Sequence, residues 1–75
     1  PGDAQPIGKG LSELRLNFGP GYRVYYLQDG NILILLLCGG DKSTQHKDID
    51  KAHELGEAYW ADKKSTEQQA KNEET

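Results

Sequence analysis

The chain has 75 residues, 35% of them apolar, and a formal charge of −3, which is room for one small domain whose core supplies only a few kcal/mol, about 3–5. The charge is unevenly placed: residues 1 to 49 hold five Lys or Arg against five Asp or Glu, and residues 50 to 75 hold four against seven, so the chain lacks the overall basic footprint of a protein that grips nucleic acid by electrostatics alone. The single Cys38 excludes an internal disulfide and fits a reducing cytoplasm; no secretory leader pattern heads the sequence, and its longest apolar run, Ile32 to Cys38, is far short of the roughly 20 residues of a membrane span.

Residues 1 to 10, PGDAQPIGKG, combine two prolines and three glycines with one large aliphatic and read as an extended or mobile leader. From Leu11 to Phe18 the sequence alternates, with Leu14, Leu16 and Phe18 on one side and Glu13, Arg15 and Asn17 on the other, the period of a half-buried strand. Gly19-Pro20-Gly21 breaks it, and YRVYYL, residues 22 to 27, is a second strand rich in aromatic and β-branched residues. Asp29-Gly30 is a hairpin signal, followed by a third strand, ILILLLC, over residues 32 to 38. The expected fold is α+β, a three-stranded antiparallel meander followed by a C-terminal helix.

A three-residue Gly-Pro-Gly loop pairs Leu16 with Val24 and Leu14 with Tyr26; an Asp29-Gly30 turn pairs Tyr26 with Leu33 and Val24 with Leu35. One face is then wholly apolar and aromatic, while the other carries Glu13, Arg15, Asn17, Arg23 and Tyr25 beside Ile32, Ile34 and Leu36. Beyond Gly39-Gly40 the period changes: Ile49, Ala52, His53, Gly56, Tyr59 and Trp60 recur at steps of three and four, predicting an amphipathic helix from about Ser43 to Trp60, capped by Asp41 or Ser43. Residues 61 to 75 have no large apolar side chain and read as a disordered tail or a frayed helix end. Ile32 to Leu37 is six aliphatics in a row, the mark of a strand covered on both faces, yet the meander leaves it at an edge; a second copy or another chain is expected to hide it.

Leu36 to Thr44 invites a phosphate-loop reading that fails on spacing. A Walker loop sets Gly, four residues, then Gly-Lys-Ser or Gly-Lys-Thr; here Gly40 is followed by Asp41, whose carboxylate repels phosphate, and the position five before Gly40 is Leu35. His46 and His53 stand seven apart, two helical turns, which is too far to share a metal, and no cofactor motif is present. The informative group is the polar sheet face: Arg15 expected across from Tyr25, Arg23 diagonal to it, and Lys42 beyond the third strand. Two guanidiniums, an ammonium and a phenol suit phosphate recognition; equally, Arg15 and Arg23 could pair with Glu13 and Asp41 on a solvated face.

The series SELRLNFGPGYRVYY, then ILILLLCGGDKSTQHKDIDKA, resembles the C-terminal two thirds of the RelE/HigB-like toxins of bacterial type II toxin-antitoxin systems, in the phage-related addiction-module killer branch. The resemblance runs from about Lys9 to Trp60, a partial toxin domain over residues 11 to 60. It implies an α+β domain whose N-terminal helical hairpin has no counterpart in the ten residues before the first strand, and an activity in ribosome-dependent mRNA cleavage by attack of a 2′-hydroxyl on the adjacent phosphate. It implies Arg23 as the residue that holds the scissile phosphate, with Arg15 and Lys42 as further cations and Tyr25 and His46 as candidates for acid-base work. The implied partners are mRNA on the ribosome and a cognate antitoxin, with a homodimer or an antitoxin on the apolar sheet as the non-catalytic alternative.

Overall fold

The computed structural model describes residues 3–73. Four strands, β1 (Asp3–Gly8), β2 (Leu11–Arg15), β3 (Arg23–Asp29) and β4 (Ile32–Gly39), form one antiparallel sheet in chain order. A 3-10 turn, Lys42–Thr44, then leads into the single helix α1 (Gln45–Glu73). The fold is α+β as the sequence indicates, with one strand more. The extra strand lies within the expected leader, which takes the extended alternative: Asp3 pairs with Arg15 and Gln5 with Glu13. Gly8 at φ 96, Lys9 at φ 55 and Gly10 at φ 78 carry the reversal into β2. Residues 1–2 and 74–75, the outer ends of the expected leader and tail, lie outside the described residues.

Both hairpin registers slide by two residues from expectation. The first loop is longer than Gly-Pro-Gly, because Gly21 N donates to Phe18 O (3.2 Å) to close a turn and Leu16 N donates to Tyr22 O (2.7 Å) below it. Leu14 therefore opposes Val24, and Arg15 opposes Arg23 rather than Tyr25. Gly19 sits at φ 60 with Tyr22 beneath it, where a Cβ would come within 2.9 Å of the ring. In the second hairpin Asp29 pairs with Ile32, so the two loop residues are Gly30 and Asn31, with the positive φ at Gly30.

A slide of two keeps each side chain on its expected face, because the strand period is two. A bulge then breaks that parity in β4: Tyr26 opposes Leu35, Tyr25 opposes Leu37, and Leu36 is the extra residue. Leu36 and Leu37 thereby both reach the face that α1 covers, where they pack around Leu11, Tyr25, Leu27 and Ala52. That covered face is the mixed one, carrying buried Glu13 and Arg23 with the leucines. The apolar face stays open, with Leu33 64% and Leu35 61% exposed. β4 has the double aliphatic character of a strand covered on both sides, but α1 covers one side alone.

Polar anchors decide where α1 lies. The bulge between Pro6 and Gly8 leaves Ile7 out of register, and its carbonyl accepts from His53 Nε2 at 2.8 Å. Further along, Tyr59 Oη (2.5 Å) and Lys63 Nζ (2.6 Å) both donate to Asp29 Oδ2 beside the β3–β4 turn. Gly56 lets the helix close on β2, where a Cβ would stand 3.1 Å from Leu11. The helix continues to Glu73 instead of ending near Trp60. At 1.5 Å per residue its 29 residues reach about 43 Å, more than any strand of this sheet, so the molecule measures 53 × 23 × 18 Å and residues 64–71 are exposed on all sides.

The clamp on Asp29 has a defined pH signature. Hydrogen bonds from Lys63 first and Tyr59 second hold the Asp29 carboxyl below its ordinary value, while that carboxylate raises both Lys63 and Tyr59. A lowered acid stabilises the fold above the usual carboxylate range, and that contribution is lost as pH falls toward the folded value; the raised lysine and tyrosine contribute below about pH 10 and lose it as pH rises through their folded values. Thermal denaturation across pH is expected to give a plateau between roughly 5 and 9 with an acid and an alkaline limb, and Asp29→Asn should lower the plateau and flatten the acid limb. An unchanged acid limb in Asp29→Asn would show that the clamp carries no folding energy.

Candidate functional site

Three cations meet where β2 ends and where β3 and the 3-10 turn begin. Arg15 and Arg23 are opposite neighbours, and Lys42 joins them around two adjoining cavities. The first, of about 220 Å³, is also lined by Asp3, Gln5, Glu13 and Gln45; three cations against two carboxylates leave it one charge positive. The second, of about 400 Å³, is walled by the Leu16–Gly21 loop with Arg15, Arg23 and Lys42 and contains no carboxylate. That volume is within the range of ligand clefts, and the loop adds peptide groups beside the three cations.

Arg23 is 6% exposed and Glu13 7%. The guanidinium is held by Nη1 donating to Gly21 O at 3.3 Å and by Nε standing 3.9 Å from Glu13 Oε2. The Nε–H is buried and has no hydrogen-bond partner among the described residues. Glu13 is fixed instead by Gln45, whose Nε2 donates to Oε2 at 3.0 Å, which ties the start of α1 to β2. Arg15 is half in water and pairs with Asp3 at 3.3 Å. Of the pairing alternative, Glu13 does stand beside Arg23, but buried under α1 rather than on a solvated face; the solvated pair is Arg15 with Asp3, which takes the place expected for Asp41. Asp41 instead caps the 3-10 turn, accepting from Ser43 N at 2.9 Å and from Ser43 Oγ. Those bonds, the Ser43 hydroxyl first, lower the Asp41 carboxyl, and the capping role is why an acid stands beside the two glycines.

Tyr25 and His46 lie away from the cavity walls. Tyr25 is fully buried under α1, its hydroxyl beside the Glu13 carboxylate and, among the described residues, without a well-aligned hydrogen-bond partner. Burial, and then the neighbouring Glu13 carboxylate, pushes its ionisation well above the ordinary tyrosine value, so the phenol is neither open to a substrate nor ready to give up a proton. His46, in the first turn of α1, is exposed and faces Asp50 at 4.0 Å, lining neither cavity. The sequence pattern placed both on the right elements but could not show which side of the helix faces the cations. Gln45 is the member that pattern missed: a glutamine at a helix start carries no signal of its own until Glu13 is known to lie beneath it.

Gly39 explains the glycine pair. It is buried opposite Arg23, and a Cβ there would stand 2.6 Å from Asp48 Oδ2 and 3.2 Å from the Tyr25 ring. β4 can therefore pass under the first turn of α1 only without a side chain at this position. Among the described residues no group of His, Cys, Asp or Glu is arranged to hold a metal, and no helix is long and apolar enough to cross a membrane.

The chain is similar to an uncharacterized protein of Haemophilus influenzae, with 50% identity over 56 residues. The match takes in 75% of this chain and 57% of that protein, so the chain spans little more than half the length of the curated relative it matches. No protein-family model and no solved structure matches the chain.

Proposed function

We propose that the chain is a RelE/HigB-like toxin domain that binds RNA phosphate with Arg15, Arg23 and Lys42 and supports mRNA cleavage on the ribosome. The observation that carries this reading is the convergence of those three cations on a cavity with no carboxylate in its walls. Arginine offers a planar fork to phosphate and lysine a point charge. In the reaction, the 2′-oxygen forms a bond to the adjacent phosphorus, the bond from phosphorus to the 5′-oxygen breaks, and negative charge grows on the non-bridging oxygens. Fixed cations stabilise that charge most where water is limited. The buried Arg23 backs the site, and the more exposed Arg15 and Lys42 meet the phosphate; Lys42 gives the proton that the leaving 5′-oxygen takes up, and the 2′-hydroxyl proton passes to water. The products are a 2′,3′-cyclic phosphate and a 5′-hydroxyl.

The test is expression in a growing bacterium. The wild-type chain should arrest growth, and Arg15→Ala and Lys42→Ala, both at exposed positions, should each weaken cleavage by about 100-fold, the typical cost of one charge-stabilising donor, without loss of folded protein. Harmless expression of a folded wild type would favour the second reading, a non-catalytic module that binds an antitoxin through its apolar sheet. That reading draws on the uncovered face and on the engagement of Arg15 by Asp3 and of Arg23 by Glu13.

A further inference from the structure

We infer that the open face of the sheet is the contact surface of a homodimer in which two copies stack sheet to sheet. Leu14, Val24, Tyr26, Leu33, Leu35 and Cys38 share this face, and the registers make them one patch: Leu14 opposes Val24, Val24 opposes Cys38, and Tyr26 opposes Leu35. Phe18, 62% exposed, and Tyr22, 43% exposed, extend it at the loop end. A contiguous apolar surface of this kind marks an interaction site rather than scattered surface leucines.

Charge and size select a second copy as the occupant. No Asp, Glu, Lys or Arg of the four strands alternates onto this face; Asp3, Glu13, Arg15, Arg23 and Asp29 all lie on the helix side of the registers. A twofold axis through the face therefore brings no like charges together, while the acidic C-terminal half of the chain stays on the far side. With strands about 4.8 Å apart and rising about 3.4 Å per residue, this three-stranded patch, about seven residues long from Tyr22 to Gln28, spans roughly 340 Å² in projection. Two such faces, with their side-chain relief, remove on the order of 1,000 Å² from water, where stable interfaces begin. A foreign strand added at the edge of β4 would satisfy that edge and leave the face bare. Face-to-face stacking covers it, as the two halves of a β-sandwich do. The dimer does not depend on catalysis.

Sedimentation velocity of the full chain from about 1 to 100 μM is expected to show a dimer that dissociates on dilution. Cys38 supplies an independent readout: its thiol is exposed in the single chain, so labelling by a thiol reagent should slow roughly tenfold or more as the dimer forms, since access controls the rate. The double variant Leu33→Lys/Leu35→Lys changes side chains that are exposed in the monomer; it should keep the wild-type circular dichroism, sediment as a monomer and label fast at every concentration. If that variant does not fold, Leu35→Glu alone is read in the same way. A wild type that stays a folded monomer throughout, or a dimer that survives the lysines with Cys38 still protected, would overturn the proposal.

Discussion

Replacing Gly39 with alanine is expected to destabilise the chain by about 1–3 kcal/mol, the usual range for forcing a methyl group into a filled site. The new Cβ would stand 2.6 Å from Asp48 Oδ2. That carboxylate cannot simply swing aside, because it accepts from Thr44 Oγ1 at 2.8 Å and so fastens the turn before α1. On the other side, 3.2 Å away, is the ring of Tyr25, one of the two largest fully buried side chains. Melting followed by circular dichroism at fixed protein concentration should fall by roughly 4–8 °C for each kcal/mol lost. Gly40, with open space around its position, is the matched control, and Gly40→Ala should cost far less. Equal melting temperatures for the two variants would mean that the first turn of α1 does not press on β4.

Arg23→Ala should abolish growth arrest and also destabilise the protein by about 3 kcal/mol, because it leaves the buried Glu13 without its cation. The two losses can be separated. In Arg23→Met with Glu13→Leu the buried charges are gone together, and replacing an ion pair by apolar side chains of similar volume is often neutral or stabilising. This double variant is expected to regain most of the lost stability while arrest stays absent. A folded double variant that still arrests growth would remove Arg23 from the site. The expected order of effects follows from burial: on the proposed reading buried Arg23 would serve fold and site at once, whereas the exposed Arg15, despite its surface pair with Asp3, and Lys42 would bear mainly on the site.

The strand and helix types, and the faces of the side chains, were legible because the alternation from Leu11 to Tyr26 is nearly unbroken and the loop errors moved the registers by an even number. Three things were not. Turn length depends on which peptide groups bond, and the Phe18–Gly21 turn cannot be distinguished from a shorter Gly-Pro-Gly loop by composition. The bulge at Leu36 is silent in a run of leucines, since every residue there suits either face. The strand at Asp3–Gly8 contains a proline and three other weak strand formers, Asp3, Ala4 and Gly8, and pairing with β2 overrides their local preference. For the site, the residue types named Arg15, Arg23 and Lys42 correctly as neighbours. Which face α1 would cover was set by His53 on the Ile7 carbonyl and by Tyr59 and Lys63 on Asp29, long-range bonds that no spacing displays. That choice puts Tyr25 in the core and leaves the apolar face open.

Whether Arg15, Arg23 and Lys42 act together on RNA phosphate is decided by adding the purified full chain to a bacterial translation extract and mapping the ends of the translated mRNA. The expected result is cuts within translated codons, upstream fragments ending in a 2′,3′-cyclic phosphate, and cleavage weakened by about 100-fold in Arg15→Ala or Lys42→Ala. Intact mRNA in the presence of folded wild-type protein, or cleavage undiminished in both variants, would contradict it.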